Sequence, residues 1–199
     1  MTDPISPAGL VETGRFSADH QSTEAAERAL LALVSADDRC AMDQLYIRYF
    51  ARLAKFFQNM TLRADLVEEL INDTMLEVWK AGESIHTSAS VFLAVMRLAY
   101  FRVQEYFAEA TADEAHSQRD VHDWEQSKSM LATAAPSDLQ IFLSKLPVEE
   151  RAAVHLVYAS GCSRRETADV MTIECDLVDV LLRDVRASAK LHYSVTSSK

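Results

Sequence analysis

Residues 64–80 read ADLVEELINDTMLEVWK, an amphipathic helical pattern. Val67, Leu70, Ile71, Thr74, Met75 and Val78 recur at helical spacing and form one apolar face. Asp65, Glu68, Glu69, Asn72 and Asp73 crowd the other side. Like charges three or four residues apart cost roughly a few tenths of a kcal/mol each in a helix. A solvated outer face is the plain reading of that crowding. A docking face for a basic partner is the sharper one.

Working outward from this helix, the chain has few breakers. It holds 4 Gly and 4 Pro in 199 residues, with no Gly between Gly14 and Gly82 and no Pro between Pro7 and Pro136. Such sparse punctuation favours helices over a turn-rich β fold, so the expected class is all-α. Residues 1–23 show no periodicity and read as a disordered lead. Residues 24–110 read as one helical domain, with breaks near Thr61, Gly82 and Ser88. Residues 111–136 carry five acidic and two basic side chains and few large apolar groups, which suits an acidic linker. Residues 137–193 read as a second helical domain and 194–199 as a tail. Ser137 with Gln140 fits a capping box, and Pro147 fits a first helical turn.

The second domain has helix-turn-helix spacing. A helix over 148–159 is stopped at Gly161, and Ser163 with Glu166 forms another capping box. A short helix over 163–171 follows, then a turn at 172–175 and a longer helix from about Asp176 to His192. Val178, Leu181, Leu182, Val185 and Ala189 make its buried face.

The formal net charge is −10. DNA affinity comes largely from Lys and Arg neutralising phosphates, so any nucleic-acid contact here must be local or helped by a partner. Cys40, Cys162 and Cys175 are an odd number without CxxC spacing, and fit small buried or semi-buried thiols in a reducing compartment. No metal site and no cofactor is expected. No signal peptide and no membrane span is read, so the expected location is the cytoplasm. The chain lacks a Gly-rich phosphate loop, HExxH, GxSxG and any paired His/carboxylate arrangement at useful spacing, which argues against an enzyme.

LYIRYFARLAKFF at 45–57, followed by DLVEELINDTMLEVWK at 65–80, resembles region 2 of the extracytoplasmic-function sigma factors of bacterial RNA polymerase. Leu45, Tyr46, Tyr49, Asp65, Glu68, Glu69, Leu70, Ile71, Asn72, Asp73, Met75, Leu76 and Trp79 fall on the family pattern, with Asn72 replacing the usual Gln. The resemblance implies that this helix binds the clamp coiled coil of the polymerase β′ subunit. It puts Glu69, Asn72 and Asp73 at polar contacts there, with Asp65 and Glu68 beside them.

In the family the next helix captures and melts the −10 promoter element. Here residues 90–107 read SVFLAVMRLAYFRVQEYF. Phe92 stands for the usual Trp, and the Ala-Arg-Asn signature is missing. Arg97 and Arg102 are the candidate phosphate contacts, and Tyr100 and Phe101 the candidates for stacking on unpaired bases. Aromatics in so apolar a helix are more commonly core.

Leu146, Pro147, Arg151, Gly161, Ser163, Glu166, Ala168, Ile173, Val178, Leu182 and Arg186 resemble sigma region 4, which reads the −35 element beside the polymerase β flap. Arg164, Arg165, Asp179, Arg183, Arg186 and Lys190 are its candidate DNA contacts. Thr172 replaces the turn Gly, and acids stand at 176, 179 and 184. The end of a recognition helix that enters the major groove is therefore acidic.

Two functions remain open from sequence. One is a sigma factor that binds core RNA polymerase and directs promoter-specific initiation. The other is a sigma-like interaction protein that binds polymerase or an anti-sigma factor and lacks independent promoter recognition.

Overall fold

The computed structural model describes residues 12–61, 63–114 and 142–196, with side chains at 23–61, 63–109 and 142–192. All regular structure among them is helical. In chain order the elements are α1 (Glu12–Ser35), α2 (Arg39–Thr61), α3 (Ala64–Lys80), α4 (Gly82–His86) and α5 (Val91–Glu114). Then come α6 (Val148–Val154), α7 (Arg164–Met171) and α8 (Cys175–Thr196).

Breaks fall near Thr61, Gly82 and Ser88 as expected, and a further one falls between Ser35 and Arg39. Asp37 takes a left-handed φ of 65° to leave α1, and the Asp38 carboxylate accepts from the backbone N–H groups of Cys40 (2.8 Å) and Ala41 (3.2 Å). That satisfies two of the orphan donors at the start of α2. Gly82 separates α3 from α4 for a packing reason. A Cβ there would lie 3.1 Å from Ser35 Oγ, so a small residue lets α1 come close.

Two boundaries differ from the sequence reading. α1 begins at Glu12, inside the stretch read as a disordered lead, because Gly14 alone does not stop a helix that tertiary packing holds further along. α5 runs to Glu114, into the stretch read as linker. The rest of that linker and the Ser137–Gln140 capping box lie outside the described residues.

The first helices pack around a core built at helical spacing. Leu45, Tyr49, Leu53, Phe56, Phe57 and Met60 of α2 meet Ile71, Met75 and Val78 of α3 and Val91, Val95, Met96, Ala99 and Val103 of α5. Truncating one such side chain to Ala costs about 2–5 kcal/mol. One buried polar group completes this core. Tyr49 donates its hydroxyl to Glu27 of α1 at 2.7 Å, and Arg52 approaches the same carboxylate at 3.3 Å. Burial and the Glu27 carboxylate push the Tyr49 phenol far above its ordinary value.

The second half joins that core. Ala152, Ala153 and Leu156, then Cys162, Ala168, Val170 and Met171, then Val178 and Leu182, are continuous with the apolar interior of the first half. α7 packs along α5, and α6 against α2. A smaller cluster of Phe142, Leu146 and Val185 closes the far end.

The helix expected over 148–159 holds as one rod, but its second part, His155–Ala159, widens into a π turn. Gly161 then turns the chain at φ 73°, where glycine carries no Cβ penalty. Pro147 sits one position earlier than expected, as the N-cap of α6.

Candidate functional site: an acidic docking face and a helix-turn-helix

α3 presents its acids as a stripe. Asp65 and Lys80 flank the helix at the ends that suit its dipole. Asp65 is bound by Arg63 at 2.7 Å, and this hydrogen bond and charge hold its carboxyl below the ordinary range. Glu68 and Glu69 are exposed, and Asp73 is half-buried. Among the described residues none of these three pairs with a cation. Asn72 is held from the side: its amide oxygen accepts from the Tyr46 hydroxyl at 2.8 Å. Burial, with Glu68 adding its charge, raises the Tyr46 phenol, so the hydroxyl stays a donor.

The structure places exposed apolar side chains on the same two helices, of which Ile47 and Phe50 were not singled out by the pattern. On α2, Ile47 is 75% exposed and Phe50 42%, with the Phe50 ring 5.8 Å from that of Tyr46. On α3 itself Leu76 is 52% exposed. The signal lay in α2's own periodicity, since 47 and 50 fall opposite the buried 45, 49 and 53. Carboxylates beside exposed apolar side chains make a surface suited to a basic, amphipathic partner.

The candidate DNA-contacting residues on α5 are not brought together. Tyr100 is 1% exposed and belongs to the core, its phenol pushed up to about 12 by burial and then by Glu149. It cannot stack on a base in this arrangement, which corrects the reading of that residue. Phe92 is half-buried beneath the Arg52 guanidinium, 5.7 Å from its ring centre. Arg102 is half-buried and pairs with Glu105 (2.9 Å) and, more distantly, Glu77 (3.8 Å). Phe101 remains at the surface. Arg97 is exposed, yet donates its Nε to the backbone carbonyl of Asp169 in α7 at 3.0 Å.

The helix-turn-helix forms as its spacing requires. Both halves of the capping box are present: Ser163 Oγ accepts from the Glu166 N–H at 3.2 Å, and the Glu166 carboxylate accepts from the Ser163 N–H at 2.7 Å. Thr172, in place of the turn Gly, is left-handed at φ 57°. Arg165, Arg183 and Lys190 are exposed. Arg186 donates to the Tyr158 hydroxyl at 2.8 Å. Arg164 and Asp179, both offered as DNA contacts, are bound to one another.

The chain is similar to known proteins along most of its length. It is 28% identical over 185 residues, 93% of this chain and 91% of the relative, to the ECF RNA polymerase sigma factor SigM of Mycobacterium tuberculosis strain H37Rv. The SigM of the Erdman strain matches equally. No protein-family model matches. Among solved structures, CnrH in complex with the cytosolic domain of CnrY shares the fold at a TM-score of 0.61 and 17% identity, covering 87% of this chain and 99% of that one. The sigma factor RpoE in complex with the anti-sigma factor NepR, from Bartonella quintana, does so at 0.56 and 18%, covering 77% and 96%. The all-helical fold is the one seen in these solved structures. The chain is a divergent homologue of the extracytoplasmic-function sigma factors.

Proposed function

We propose that this protein is a sigma factor that binds core RNA polymerase and directs promoter-specific initiation from the cytoplasm, without catalysis of its own. The observation that carries the reading is the α3 stripe. Among the described residues Glu68, Glu69 and Asp73 pair with no cation, and Asn72 is already oriented by Tyr46. A preorganised polar face loses less side-chain freedom on docking than a mobile one. The partner is the clamp coiled coil of β′, with the helix-turn-helix placed beside the β flap and the −35 DNA. Weak intrinsic DNA affinity is tolerable in such a design, because polymerase supplies most of the binding. Two similar folds were solved with CnrY and NepR, and an anti-sigma factor is the regulatory partner we assign here.

The test is run-off transcription with purified core polymerase on genomic promoter fragments, alongside a core-binding measurement. Binding together with start sites that depend on the protein supports the reading. Core binding without strand opening on any promoter supports the second reading, a sigma-like interaction protein. That alternative is favoured by the mutual neutralisation of Arg164 and Asp179.

A further inference from the structure

We infer that the Tyr46 hydroxyl is a positioning group for the α3 docking face. It turns the side-chain –NH2 of Asn72 outward, so the partner presents a neutral hydrogen-bond acceptor at that point, set among the cations that meet Glu68, Glu69 and Asp73. The inference rests on the proposed docking of α3 to core polymerase and assigns the partner's chemistry at one position within it.

A side-chain amide has two faces. Its oxygen only accepts and its nitrogen only donates, and on an exposed helix either can turn to a partner. Asn72 is exposed on α3. Tyr46 of α2, 26 positions away in sequence, reaches it and donates to Oδ1 at 2.8 Å. The oxygen is thereby engaged from the protein's own side. Among the described residues the nitrogen makes no hydrogen bond. Tyr46 is itself held in place. It is half-buried against the core that Leu45 and Tyr49 fill, with the Phe50 ring 5.8 Å from its own. Burial, and then the charge of Glu68, raise its phenol, so it keeps the proton it donates.

The charges around Asn72 favour the same orientation. Glu68 and Glu69 stand four and three residues before it and are its neighbours on the helix surface, and Asp73 follows it. The positive end of the amide dipole therefore points outward among carboxylates. This donor asks for something the acids do not. Lys and Arg side chains have no acceptor, so the cations that suit the acids cannot serve Asn72. A partner carboxylate would be set against three acids. The oxygen of a partner amide or hydroxyl, with Lys or Arg to either side, fits both demands. A surface that is basic and nothing else leaves the Asn72 donor unmet.

Asn72→Asp tests the assignment on the full chain, with binding to purified core polymerase as the readout. The substitution keeps the shape and the Tyr46 hydrogen bond, and changes the outward atom from a donor to an acceptor. Charge alone predicts tighter binding, since the face would gain an acid against a basic partner. The donor assignment predicts binding weakened at least about fivefold. Tyr46→Phe should weaken binding about threefold by freeing the amide. In an Asn72→Ala background it should cost nothing further, because there is no amide left to position. Equal losses from Tyr46→Phe in both backgrounds would make the hydroxyl a structural group and overturn the positioning role. Unchanged or tighter binding by Asn72→Asp overturns the acceptor. Should Tyr46→Phe lose its helical circular dichroism, Asn72→Asp, at an exposed position, decides alone. Glu69→Lys, measured alongside, separates this inference from the reading beneath it. If Glu69→Lys binds weakly and Asn72→Asp does not, only the acceptor assignment falls. If both bind core at wild-type strength, the docking face falls and the inference with it.

Discussion

Arg164, in the first helix of the helix-turn-helix, is held by Asp179 in the second. Each was a candidate for touching DNA, and each now occupies the other. Both are about half exposed, so the pair contributes little to stability. Its consequence is for binding. Asp179→Asn should release a cation toward phosphate, raise affinity for −35 duplex several-fold, and steepen the logarithmic salt dependence by about 1. Fluorescence anisotropy across a salt series measures both. An unchanged slope would mean that this face does not meet DNA.

The α3 stripe makes a second prediction. Glu69→Lys should weaken core-polymerase binding at least about tenfold, or roughly 1.4 kcal/mol, and leave the melting temperature unchanged, because Glu69 is exposed. Ile47→Ser and Phe50→Ser should each weaken it as well if the apolar neighbours share the contact. Binding at wild-type strength in all three would remove α3 and α2 from the interface.

His155 supplies a pH dependence. Desolvation, with Lys55 adding its charge, lowers its pKa from 6.5 to about 4. A base whose folded pKa is depressed is neutral in the folded chain and charged in the unfolded one. Its contribution is complete above about pH 6.5 and is lost as pH falls toward 4, reaching roughly 2 kcal/mol by pH 5. Urea melts of the wild type and His155→Gln should diverge at pH 7 and converge toward pH 5. Parallel pH profiles for the two proteins would contradict the burial of the ring.

Thr172 makes the fourth. A left-handed φ of 57° carries a Cβ penalty of about 1–2 kcal/mol in a residue other than Gly. Thr172 is exposed, so replacing it costs no packing. Thr172→Gly should therefore stabilise the chain by about 1 kcal/mol in chemical denaturation, despite the greater freedom glycine has when unfolded. A loss of stability would show that the threonine side chain holds the turn by some other contact.

What the sequence disclosed was local. The α3 face, the break at Gly82 and the Ser163–Glu166 box all depend on residues a few positions apart, where periodicity and capping are strong signals. Contacts across long separations were out of reach. Arg151 matched a family position, but nothing near it in sequence pointed to the Met60 carbonyl 91 residues away. Tyr100 and Phe101 are neighbours of the same chemistry, and α5 is apolar on so much of its circumference that periodicity cannot say which of them faces inward. Only the packing of α5 against its neighbours separates the buried phenol from the exposed ring. The π turn at His155–Ala159 has no signature in its composition.

Glu24 and Arg28 lie one turn apart on α1. Arg28 donates to the carbonyls of His86 (2.6 Å) and Ser88 (2.8 Å), while Glu24 accepts from the Val91 N–H at 2.8 Å. They also bind each other at 2.9 Å. The pair works as a splint across the joint between α4 and α5, fixing the pitch and rotation with which α5 leaves that joint. α1 is therefore a lever on the helix that carries Arg97. A protein that gripped the outside of α1 would turn α5 without touching it, and trimming the chain to begin at α2 would leave the joint unset.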